Sequence, residues 1–211
     1  MMQDFSPQVD RQTVLDHLRA YSVKVAPPGQ PPFALASGGT SRLYIDSKRT
    51  CYSRSIHRPL AALLYQEVRA LGHADAVAGV ALGGCHLASL VAAHGGGGVY
   101  NLAYVRKAPK GHGTRNLVEH SWGRYGEWVV LIEDVLSTGG SVAHAIMALR
   151  ADGFVVRGAL VLLDRRPEVE REDEIHGVPL RRVFGLEDLR LGDEGLAELK
   201  GGSHEQGQRS T

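Results

Sequence analysis

Apolar positions along the chain follow two rhythms, and their alternation predicts an architecture. Val9, Val14, Leu15, Leu18 and Val23 fall on roughly one face of a helix over 8–26, with Asp10 placed to cap it. Pro27, Pro28, Pro31 and Pro32 then exclude helix. Residues 33–46, FALASGGTSRLYID, read as two short strands around the turn Ser37-Gly38-Gly39. A second helix is predicted over 57–71, with Leu60, Leu63, Leu64, Val68 and Leu71 inside. Strand and helix alternate from there. Strand Ala76–Ala81 leads through Gly83-Gly84 into helix His86–Ala93, and strand Val99–Val105 into the polar stretch 106–120. Strand Trp128–Ile132 precedes helix Ser141–Asp152, which Gly153 ends. Strand Val155–Leu163, a weaker strand Val178–Phe184 and a short helical segment Leu186–Leu199 follow. The tail, GGSHEQGQRST, is polar enough to predict disorder, and no internal repeat is visible.

Short apolar strands alternating with helices predict an α/β fold, with a mostly parallel sheet covered on both faces. Ligands bind such sheets at the carboxyl ends of the strands. The residues after Ala81, Val105, Ile132 and Leu163 should therefore converge on one site.

Composition narrows the function. At 211 residues, 43% of them hydrophobic, the chain can bury a sizeable core within one domain and a small appendage. The formal charge of +1 argues against broad nucleic-acid binding, which needs a surplus of Lys and Arg on one face. The two cysteines, Cys51 and Cys85, have neither zinc-site spacing nor the number a disulfide scaffold needs. No signal peptide and no apolar stretch of about 18 residues is present, so no membrane partner and a cytoplasmic location are expected. The 26 glycines cluster between apolar runs, which marks tight turns or backbone that must approach a ligand closely.

The chemistry concentrates after the strand Val129–Ile132. Two carboxylates, Glu133 and Asp134, are followed by Val135, Leu136, Ser137, Thr138, Gly139, Gly140 and Ser141, and then by a helix. Hydroxyls and glycines at a helix N-terminus cradle an anion, because free N–H groups and the helix dipole face it. Paired acids beside that anion suit a sugar phosphate, whose vicinal hydroxyls they accept. Helix capping alone does not call for two adjacent acids closing an apolar strand. A Walker loop would need a Lys before the Ser/Thr, and a dinucleotide fingerprint other glycine spacing.

This segment resembles the signature of type I phosphoribosyltransferases. The resemblance implies that family's fold, a central mostly parallel sheet flanked by helices with a small N-terminal hood. It also implies that Glu133 and Asp134 contact ribose hydroxyls and that Val135–Ser141 hold the 5-phosphate. On this reading the hood is residues 1–50, the core 51–199 and the tail 200–211.

Other segments resemble the orotate branch of the family. Residues 104–117, YVRKAPKGHGTRNL, match its mobile catalytic loop, placing Arg106, Lys107, Lys110 and His112 as the groups that meet the leaving pyrophosphate. Cations that close over that charge are what the chemistry requires. In the family this loop reaches into the neighbouring subunit, which implies a homodimer with shared active sites. Residues 79–88, GVALGGCHLA, resemble the pyrophosphate loop, with Gly83 and Gly84 offering backbone N–H groups. Many members carry Lys at the first of these positions. Residues 33–46 resemble the segment that encloses the orotate ring, with Tyr44 and Ile45 at its ring-contacting positions. Two departures stand out: Ala36 where many members place a lysine, and Arg42 where a proline is common. Arg165, after the strand ending VLLD, matches the arginine that binds the orotate carboxylate, and Ser137 a hydroxyl that bonds orotate. A planar fork of donors suits a carboxylate.

The resemblance thus implies transfer of ribosyl 5-phosphate from phosphoribosyl pyrophosphate to N1 of orotate, giving orotidine 5′-phosphate and pyrophosphate in pyrimidine biosynthesis. Mg²⁺ is the implied cofactor, held mainly through substrate and water, with no metal site made by protein alone. A purine-base phosphoribosyltransferase and a non-catalytic regulator that senses phosphoribosyl pyrophosphate are the alternatives. The first has no need of Arg165 as a carboxylate binder. The second calls for a DNA-binding extension or a strongly basic face, neither of which the sequence displays.

Overall fold

The computed structural model describes residues 7–27, 29–34, 40–94, 100–108, 116–123 and 125–189. Helix α1 spans Pro7–Tyr21, starting three residues ahead of Asp10, with proline in the first turn, where its missing N–H costs nothing. It stops short of Val23–Val25, which forms strand β1 and pairs antiparallel with β4, Leu43–Ile45. Val23 falls on the helix's face, but Val23 and Val25 together follow a strand's period, and strand pairing decides. A hairpin of β2, Phe33–Ala34, and β3, Thr40–Ser41, lies between, flanking the predicted turn. Two helices follow, the four-residue α2, Lys48–Cys51, which the pattern did not predict, and α3, His57–Ala70.

The remaining strands form one seven-stranded sheet. In chain order they are β5 (Ala76–Val80), β6 (Asn101–Val105), β7 (Val118–Glu119), β8 (Trp128–Leu136), β9 (Val155–Asp164), β10 (Glu174–Ile175) and β11 (Val178–Gly185). Their spatial order is β10-β11-β9-β8-β5-β6-β7. The five central strands run parallel, as expected, and only the short edge strands β7 and β10 are antiparallel. Helices α4, Gly83–Ala93, and α5, Gly140–Ala151, connect them. A 3-10 turn at Glu187–Leu189 occupies the described part of the predicted 186–199 helix.

Alternate side chains of the central strands feed two apolar clusters, one on each face. Val130 and Ile132 of β8 join α1, α3 and α4 on one side. Val129 and Leu131 join α5 on the other. All four are fully buried, and each such side chain contributes roughly 1.5–3 kcal/mol. Val14, Leu18 and Leu43 of the N-terminal segment share the first cluster with Leu60 and Leu64 of α3, so that segment is packed onto the core.

Candidate active site

The site is built where β8 continues past its apolar stretch. The sequence pattern ends the strand at Ile132, but pairing of Glu133 with Val161 and of Leu136 with Asp164 carries it four residues further. Both acids are thereby held in extended backbone at the sheet's carboxyl edge. Glu133 is 6% exposed and Asp134 half-buried. The Asp134 N–H donates to Glu133 Oε1 at 3.0 Å, and the Ser47 hydroxyl donates to Asp134 Oδ2 at 2.5 Å. Burial, reinforced by the hydrogen bond and negative charge of Asp134, pushes the Glu133 carboxyl up to about 9, while Lys107 pulls it the other way.

Beyond Asp134 the chain turns into α5. Gly139 has φ 83°, a left-handed conformation that favours glycine, and its carbonyl accepts the Ala143 N–H at 2.9 Å. Around this turn Lys107, Glu133 and the whole stretch Val135–Val142 line a cavity of about 220 Å³. The cavity thus carries a cation, hydroxyls and the start of a helix, the donor set an anion needs. Gly83 and Gly84 open α4 against the end of β8. A Cβ at Gly84 would overlap the Ile132 carbonyl oxygen, and one at Gly83 the Asp134 carboxylate. Their lack of side chains lets α4 close onto the end of β8.

Arg165 follows β9, and its N–H donates to the Leu136 carbonyl at 2.8 Å, which ties it to the same strand end as the acids. Its guanidinium is half-buried, and burial lowers its pKa. Among the described residues no side-chain partner accompanies it. The neighbouring Arg166 is engaged: its Nε and a terminal nitrogen reach the two oxygens of the fully buried Asp164 at 3.1 and 2.9 Å. Burial pushes the Asp164 carboxyl up, but Arg166 holds it below the usual carboxylate range. Asp164 therefore anchors Arg166, with Arg182 at 3.3 Å, and leaves the adjacent Arg165 available.

The remaining predicted residues divide. Lys107 borders the cavity at the turn. Arg106 does not; its Nε donates to Glu119 at 2.8 Å on the rim of a separate groove. Lys110, His112 and Ala36 lie outside the described residues. Tyr44 is half-buried with its ring 5.6 Å from that of Phe33. Ile45, 9% exposed, packs in the core cluster. Arg42, unexpected at its position, donates to the carbonyls of Ala26 and Pro27, both at 2.7 Å, and staples the proline-rich stretch. No motif or periodicity marks Ser47, whose partner is 87 residues away. No cluster of three or more His, Cys, Asp or Glu able to hold a metal occurs among the described residues. No helix among them is long and apolar enough to cross a membrane.

A mostly parallel sheet with adjacent acids and a hydroxyl- and glycine-rich turn at one strand end is the arrangement expected of a phosphoribosyltransferase. The model of the phosphoribosyl transferase domain matches residues 52–180, more than half the chain. Among curated proteins, the orotate phosphoribosyltransferase of Sorangium cellulosum is 41% identical over 163 residues, covering 76% of this chain and 85% of that protein. Among solved structures, Mycobacterium tuberculosis H37Rv orotate phosphoribosyltransferase in complex with Fe(III) dicitrate superposes with a TM-score of 0.71 at 29% identity, covering 86% of this chain and 99% of that one. The same protein in complex with phosphoribosyl pyrophosphate gives 0.68 at 27%, with the same coverage. The chain belongs to the orotate phosphoribosyltransferase family.

Proposed function

We propose that this enzyme transfers the ribosyl 5-phosphate group of phosphoribosyl pyrophosphate to N1 of orotate, releasing pyrophosphate and orotidine 5′-phosphate for pyrimidine biosynthesis. The observation that carries the reading is the bond between the Arg165 N–H and the Leu136 carbonyl. It hangs a half-buried guanidinium, unpaired among the described residues, on the strand that bears the two acids. A purine has no carboxylate for it; orotate has.

In this reading Glu133 and Asp134 accept the ribose hydroxyls, and Val135–Ser141 hold the 5-phosphate. Ser137 and Arg165 orient orotate, and Gly83 and Gly84 offer N–H groups to pyrophosphate. The C1–O bond breaks largely before N1 bonds, so positive charge develops on the ribose ring. The chain's contribution is therefore positioning and electrostatics. Arg106, Lys107, Lys110 and His112 take up the charge of the leaving group and exclude water. The donor set fits Mg²⁺ only in a supporting manner: two acids, one of them buried with a raised pKa, are too few to enclose it. Bound through substrate oxygens and water, Mg²⁺ would neutralise pyrophosphate charge.

The functional unit of this reading is a homodimer. A groove of about 920 Å³, separate from the phosphate cavity, is lined by Tyr52, Leu82, His86, Leu90, Tyr104 and Arg106 among others. Tyr52 and Leu82 are 63% and 62% exposed in the single chain. An apolar groove with the root of the catalytic loop on its rim suits a second copy whose active site that loop completes. The division into a hood of residues 1–50, a core of 51–199 and a tail of 200–211, and a cytoplasmic location, complete the proposal.

Two variants test the assignments. Lys110→Ala should depress turnover and leave the fold intact, and Asp134→Asn should weaken phosphoribosyl pyrophosphate binding. Full activity in both would overturn them.

A further inference from the structure

Ser47 immediately precedes α2, where a serine ordinarily caps free helical N–H groups. It makes no capping bond. Its hydroxyl, in a residue 1% exposed, donates instead to Asp134 Oδ2 at 2.5 Å. A buried hydroxyl needs a partner, and a hydrogen bond to a charged acceptor is stronger than one to a neutral group. The helix behind it is fixed in turn. Thr50 N–H donates to the Ser47 carbonyl at 3.1 Å and to Ser22 Oγ at 3.1 Å, and the Ser22 and Thr50 hydroxyls meet at 2.6 Å. Ser22 and Thr50 are also buried. Polar contacts therefore run from the end of α1 through α2 to the Asp134 carboxylate. On its other flank that carboxylate occupies the space where Gly83 has no side chain. Asp134 is thus confined between α2 and the first turn of α4.

We propose that Ser47 is a positioning residue for phosphoribosyl pyrophosphate: by holding Asp134 from the hood side, it presents the carboxylate to the vicinal ribose hydroxyls. The inference rests on the reading of Asp134 as a ribose-binding acid. Through α2 and the Ser22–Thr50 pair it also makes the donor subsite depend on the N-terminal segment, which in sequence lies far from the phosphate loop.

The test compares Ser47→Ala, Ser47→Cys, Asp134→Asn and the Ser47→Ala/Asp134→Asn double variant by steady-state kinetics and thermal melting. Ser47→Ala should raise the KM for phosphoribosyl pyrophosphate roughly tenfold or more, the size of a lost charge-assisted hydrogen bond, and leave the KM for orotate unchanged. Ser47→Cys, a weaker donor of nearly the same shape, should fall between, and it carries the test should the alanine variant melt early. In the Asp134→Asn background, Ser47→Ala should cost little more. An unchanged KM in Ser47→Ala beside a raised one in Asp134→Asn overturns the positioning role and leaves the ribose reading standing. An unchanged KM in Asp134→Asn overturns the ribose reading and this inference with it. Penalties that multiply in the double variant, or a rise in both KM values together, would show Ser47 acting through the fold alone.

Discussion

Replacing Arg165 with methionine should separate function from stability. The guanidinium is half-buried, its pKa is lowered by burial, and no side-chain partner accompanies it among the described residues. In the free enzyme it is a partly desolvated cation without compensation, so an apolar side chain of similar length should leave the melting temperature unchanged or raise it slightly. In the complex it would meet the orotate carboxylate through two charge-assisted hydrogen bonds. Truncating one partner of such a pair costs roughly 2–5 kcal/mol, or about 30- to several-thousand-fold. The KM for orotate should therefore rise by about that factor, while the KM for phosphoribosyl pyrophosphate stays near wild type. Arg166→Met is the control. It strips the fully buried Asp164 of its bidentate side-chain partner and leaves, among the described residues, the main-chain N–H of position 166 at 3.0 Å and Arg182 at 3.3 Å. Breaking a buried pair costs about 3–5 kcal/mol, which is a fall of roughly 6–20 °C for a domain of this size. Steady-state kinetics and differential scanning fluorimetry on both variants decide the matter. If Arg165→Met melts as early as Arg166→Met, or if its KM for orotate is unchanged, the reasoning is wrong.

Three further outcomes follow from the site. Glu133 carries a folded pKa raised from 4.5 to about 9, so the folded state holds a proton that the unfolded state releases; its stabilising effect is complete below about pH 4.5 and is lost as pH rises through about 9. Stability of the wild type relative to Glu133→Gln, followed by urea melts from pH 5 to 9, should therefore fall steadily, and a pH-independent difference would contradict this. Gly84→Ala places a methyl against the Ile132 backbone carbonyl, which cannot swing aside, and should cost about 1–3 kcal/mol, seen as a fall of roughly 2–12 °C in melting temperature. Mixing inactive Arg106→Ala and Asp134→Asn subunits should restore activity to about a quarter of wild type, because a mixed dimer with loops acting across the interface holds one intact site of two; no recovery would place the loop in its own subunit's site.

Much of this was legible in the sequence. The runs AVAGV, WVVLI and VVRGALVLLD are buried almost throughout, as interior parallel strands require, and their apolar content alone identified them. The cavity-lining turn after Asp134 was legible because hydroxyls, glycines and acids cluster within a few residues. What escaped was decided by partners distant in sequence. Glu133 and Asp134 belong to β8 because β9 pairs with them, which an apolar pattern does not register. Helix α4 starts at Gly83, against glycine's poor helix propensity, because only that start brings its first turn onto β8. Adjacent arginines look alike in sequence; the geometry of Asp164 ties down Arg166 and leaves Arg165. The strands β7 and β10 have two residues each, too few for any period to show.

The most direct measurement is base preference. The purified protein, given phosphoribosyl pyrophosphate and Mg²⁺, should be offered orotate, hypoxanthine, guanine and adenine in turn, with nucleotide and pyrophosphate both quantified. The account predicts equal amounts of orotidine 5′-phosphate and pyrophosphate from orotate and no nucleotide from the purines. Turnover of a purine without turnover of orotate would contradict it.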